Sequence, residues 1–197
     1  NELREIILKE KREIQRIVQQ LTALITAKIE EIEVMYEAVA KVDFILAKAR
    51  LSEDMEAGSP LVVNKPEIKL VKARHPLLTG NVVPISVELG RGYRFLVITG
   101  PNTGGKTVTL KTIGLMAVMT QAGLHIPAES DSKLGIFEHV FVDIGDEQSV
   151  EQSLSTFSAH MTNIVKIMEQ ANSRSLVLFD ELGAGTDPAE GAALAMA

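Results

Sequence analysis

Eight consecutive residues, Gly100-Pro101-Asn102-Thr103-Gly104-Gly105-Lys106-Thr107, fit the pattern G-x-x-x-x-G-K-[ST], and no other segment limits the fold as much. Residues 93–99 just upstream are rich in β-branched and apolar residues, which predicts a short buried strand. Residues 106–121 downstream have helical spacing, with Leu110, Ile113, Gly114, Ala117 and Val118 on one face. A strand, a glycine-rich turn and a helix start form an anion cradle. Glycines let the backbone wrap phosphates, the unpaired N–H groups of the first helical turn point at them, and Lys106 reaches the β- and γ-oxygens. The Thr107 hydroxyl is left as a Mg²⁺ ligand. The expected ligand is a nucleoside triphosphate.

A second strand is expected where residues 175–179 lead into two adjacent acids, Asp180 and Glu181. A strand buried on both faces carries acids only where something pairs with them, because burying a charge is costly. Asp180 is expected to hold the nucleotide's Mg²⁺, through water or directly. Glu181 is then placed to orient and deprotonate the attacking water. The plainer alternative is that both acids open a loop at the sheet's edge.

Composition excludes other classes. The 197 residues suffice for one sizeable core and an appendage. Zero cysteines exclude disulfides and thiolate metal sites, and suit a reducing, cytoplasmic setting. No apolar run approaches the roughly 20 residues of a membrane span, so no membrane partner is expected. Net charge is −6, with 9 basic and 12 acidic residues over 1–57 and 11 and 14 over 58–197. Neither part is a basic patch, so a grip on nucleic acid would lie mostly outside this chain. The local excess of Lys65, Lys69, Lys72, Arg74, Arg91 and Arg94 reads as a solvated surface.

Residues 1–57 contain no Gly or Pro and read as a helical segment, with residues 58–197 as a separate domain. Leu3, Ile7, Ile14, Ile17, Leu21, Leu24, Met35, Val42, Ile45 and Ala49 recur at heptad spacing, interrupted by Glu10, Lys28 and Glu31. This predicts one long helix or two in line, packed along one side. Short strands and turns are expected between Leu61 and Gly92. A further strand over 137–142 leads through a polar stretch to a helix from about Phe157 to Ala171. Ser155 and Thr156 suit an N-cap. A helix start bearing hydroxyls equally suits a γ-phosphate from a neighbouring subunit, and both readings stand. The chain opens and ends inside helical patterns, which predicts a C-terminally truncated domain.

Residues 100–107, Ala73-Arg74-His75-Pro76, Ser155-Thr156-Phe157 and the run Asp180-Glu181-Leu182-Gly183-Ala184-Gly185-Thr186-Asp187-Pro188 together resemble the MutS ATPases. Thr103 and residues 183–193 resemble the endonuclease MutS subfamily, and the likeness extends over nearly the whole chain. The resemblance implies an α/β P-loop NTPase domain of ABC/MutS type preceded by long helices. It implies ATP and Mg²⁺ as cofactors, a homodimer, and a DNA clamp acting on branched or recombining DNA in recombination suppression or repair. It also implies a nuclease domain elsewhere, and allows action on stalled ribosomes instead of DNA. By position, Asn102 contacts the phosphates, Ser155 with Thr156 touches the γ-phosphate across the dimer, and Val82 and Val83 face adenine. Val replaces the family's aromatic there, so base stacking is lost. His160 stands where mismatch-repair members carry an acid and has no assigned role; His75 reads as structural, and His125 and His139 lack partners at informative spacing. An ABC-like chromosome-structure or recombination ATPase is an alternative, although Leu154-Ser155-Thr156-Phe157 departs from its Leu-Ser-Gly-Gly signature. A non-hydrolysing nucleotide-gated scaffold is another.

Overall fold

A computed structural model describes residues 2–100, 104–144 and 153–183, together with positions 187, 189, 191, 193 and 196; of residues 153–159 it describes the backbone. The chain divides into two compact units, residues 1–49 and 50–197.

The first unit is helical. α1 spans Glu2–Thr26 and α2 spans Ile29–Asp54, running on into the second unit. Each begins with acids in its first turn, Glu2 and Glu5 or Glu30 and Glu31, where they meet the positive end of the helix dipole. No Gly or Pro separates the helices. At the end of α1 the Thr26 hydroxyl donates to the Thr22 carbonyl at 2.9 Å. Of the two expected arrangements the chain forms two helices, and neither contains a buried residue. Leu3, Ile14, Leu21 and Leu24 of the heptad seam are all exposed.

In the second unit, β1 (Leu61–Val63), β2 (Ile68–Ala73), β3 (Ile85–Leu89) and β4 (Lys133–Gly135) form one sheet in the order β1-β4-β2-β3. β1 pairs parallel with β4, and the other pairs are antiparallel. β5 (His139–Asp143) and β6 (Ser175–Phe179) form a second, parallel pair in register from His139↔Ser175 to Asp143↔Phe179. α3 (Lys106–Gln121) and α4 (Ser153–Gln170) complete this mixed α/β unit. Its core joins Ile68, Leu70 and Leu134 of the first sheet to Met116 and Ala117 of α3 and Leu176 and Leu178 of β6. α3 keeps its expected bounds, but its inner face differs. Met116 and Met119 are buried while Val118 points out, so the buried stripe is turned partly round the helix.

Residues 93–99 do not form the expected strand. Phe95 and Val97 are 88% and 82% exposed. β-branched composition makes a segment fit to pair, but a strand exists only through a neighbour's ladder. β6 pairs with β5, and residues 94–98 face β6 across a cavity of about 480 Å³.

Candidate nucleotide-phosphate site

The site begins with how closely α3 lies on β6. A Cβ on Gly114 would stand 2.7 Å from Leu178 Cδ1, so the missing side chain lets helix and strand touch. From Gly114 the helix runs back two turns, about 10 Å, to Thr107. From Leu178 the strand runs two residues, about 7 Å, to Asp180. Both paths end at the carboxyl end of β6, and there Thr107 Oγ1 donates to Asp180 Oδ2 at 2.5 Å. Asp180 is fixed from the other side, its N–H donating to the Asp143 carbonyl at 3.0 Å.

The start of α3 offers donors. Gly105 caps it in the left-handed region (φ 79°), where a side chain would be strained, and among the described residues this cap makes no side-chain hydrogen bond. The first helical bond runs from Thr109 N–H to the Gly105 carbonyl at 2.8 Å. Lys106 Nζ donates to the Gly100 carbonyl at 2.8 Å, drawing the helix start toward the first residue of the loop. The positive end of a helix, with an ammonium beside it, suits an anion. Thr107 and Asp180 supply the hard oxygen donors that suit Mg²⁺.

Glu181 follows at φ 49°, a left-handed backbone that a non-glycine residue seldom takes. Its turn takes the chain out of β6, and with Lys106 and Asp180 it borders the 480 Å³ cavity. Gly100 and Gly104 are described, whereas Pro101, Asn102 and Thr103 lie outside the described residues. Ser155 and Thr156 sit in the first turn of α4, and their side chains lie outside the description. Val82 and Val83 lie on the turn before β3; Val83 is exposed, and neither borders the cavity.

Sequence reasoning left one cluster unread. His160 Nδ1 lies 3.0 Å from Asp143 Oδ2, and Asn163 Nδ2 donates to Asp143 Oδ1 at 2.8 Å. The only local signal was an acid ending a strand and two polar residues three apart on a helix. The other histidines also have local contacts. His75 Nδ1 accepts the Leu77 N–H at 3.3 Å, and burial, with Lys111 nearby, holds its pKa below 6.5. His125 Nδ1 lies 2.7 Å from Ser52 Oγ, and His139 stacks on Phe141. Of the local basic residues, Lys69 pairs with Asp131, Lys72 with Glu129 and Arg74 with Glu56. These three pairs are partly exposed surface ion pairs.

The sequence profile of MutS domain V matches residues 96–197, just over half of the chain. The chain is 56% identical over its whole length to a protein named Endonuclease MutS2 from Halalkalibacterium halodurans. It is 58% identical over 99% of its length to one of the same name from Pelotomaculum thermopropionicum. It spans about a quarter of the length of these curated relatives. The chain belongs to the MutS family and carries that family's domain V, a P-loop ATPase domain.

Proposed function

We propose that this chain binds Mg²⁺-ATP at the start of α3 and hydrolyses it, as the motor of a dimeric MutS-type DNA clamp. The observation that carries the reading is the Thr107–Asp180 contact, which unites the two sequence motifs at one point. The loop amides of Gly100, Pro101, Asn102, Thr103, Gly104 and Gly105 would cradle the phosphates, with Lys106 on the β- and γ-oxygens. Thr107 and Asp180 would hold the metal, which when bound neutralises charge building on the phosphate oxygens. Glu181 would take a proton from the attacking water as the water oxygen bonds to Pγ and the bond from Pγ to the bridging oxygen breaks, releasing ADP. Val82 and Val83 would face the base through aliphatic contact alone. Ser155 and Thr156 would complete the site of a partner subunit.

Recombination suppression or DNA repair, with a nuclease outside residues 1–197, is the setting we favour. The relatives' name, endonuclease, supports nucleic acid as the substrate. The experiment is Glu181→Gln in the full-length protein. ATP binding is retained and turnover falls about 10²–10⁴-fold, the usual loss for a general base. Undiminished turnover would show that another group activates the water.

A further inference from the structure

The carboxyl end of β5 carries an acid that the phosphate chemistry leaves unused. Asp143 exposes only 11% of its side chain, and a carboxylate at that depth needs partners for both oxygens. Both partners come from α4, His160 on Oδ2 and Asn163 on Oδ1. Three residues apart, they share one face of the helix. A neutral imidazole can donate to the carboxylate only with its proton on Nδ1, so the contact also selects the tautomer. The main-chain oxygen of Asp143 meanwhile accepts from Asp180, whose side chain accepts from Thr107. One residue thus ties α4, through β5 and β6, to the start of α3.

We propose that His160 and Asn163 are positioning residues for ATP turnover, holding α4 in register on Asp143. The proposal rests on the ATPase reading above. Apolar packing is non-directional and leaves a helix some freedom to slide or roll. Two directed bonds from residues three apart remove both freedoms. Ser155 lies five residues before His160, about 7–8 Å along the axis, so a small roll at the clamp displaces the first turn. A misplacement of about 1 Å at a reacting group costs on the order of a hundredfold in rate. Neither side chain acts on the nucleotide itself; both act through Asp143.

The test compares His160→Ala with His160→Asn in the full-length protein, because the Asn amide nitrogen can stand near the place of Nδ1. His160→Ala is expected to lower kcat about tenfold to a hundredfold with KM for ATP within about twofold. His160→Asn is expected to restore kcat to within about threefold of wild type. Hydrogen exchange at Asp180 and at the amides of residues 153–159 should quicken in the first variant and not in the second. Equal losses in both variants, or wild-type kcat with unchanged exchange in His160→Ala, would overturn the proposal. If the wild-type full-length protein shows no ATP turnover, the ATPase reading fails by itself. Exchange then still decides the clamp: unchanged amides in His160→Ala refute it.

Discussion

Thr107 and Asp180 lie 73 residues apart in the chain, and one hydroxyl joins them. That distance explains what was readable at this scale. Each motif is local: a hydroxyl must follow the loop lysine, and an acid must end the second strand, so both residues could be named from sequence. Asp143, His160 and Asn163 could not, because their meeting depends on how α4 lies over β5 and on no spacing a sequence displays. His75 yields a prediction of its own. Its Nδ1 accepts an N–H and burial disfavours the charged ring, so the folded pKa lies below the ordinary 6.5. The folded state then binds this proton less readily than the unfolded state. Stability is fully present above about pH 6.5 and declines as pH falls through that range toward the folded pKa. His75→Gln should flatten the fall in Tm between about pH 7.5 and about pH 5.5. Identical slopes in variant and wild type would assign the acid sensitivity to other groups.

Among the elements, α3 was the most legible, since a glycine-rich start and sixteen residues of helical spacing set both its ends. Which face it buries was less legible. Met116 and Met119 turn inward into a core shared with sheet residues and β6, where flexible thioethers fill uneven space. The expected strand over 93–99 failed for the opposite reason: pairing is non-local, and composition does not supply a neighbour. At Gly114, α3 comes close to Leu178 of β6. Gly114→Ala gains up to about 1 kcal/mol in helix propensity and meets only the mobile end of Leu178, so stability should change by less than about 1 kcal/mol. Gly114→Leu should lose about 1–3 kcal/mol by overpacking, read as a lower denaturation midpoint in urea. An unchanged midpoint for Gly114→Leu would mean that the helix does not rest on the strand as described.

Across the whole molecule, α1 presents an apolar seam without a buried residue, while the second unit holds the core and the candidate phosphate site. Among the described residues no helix is long and apolar enough to cross a membrane. With a net charge of −6 and Lys69, Lys72 and Arg74 matched by acids, DNA contacts in the proposed clamp would rest on other parts of the protein. The proposed Mg²⁺-ATP site lies where the start of α3 meets the end of β6. Titration of a fluorescent ATP analogue, with and without Mg²⁺, tests it most directly. Lys106→Ala should weaken binding in both conditions by roughly tenfold or more, the worth of a charge-assisted phosphate contact. Asp180→Asn should weaken it only when Mg²⁺ is present. Equal dissociation constants for wild type and both variants would contradict the account.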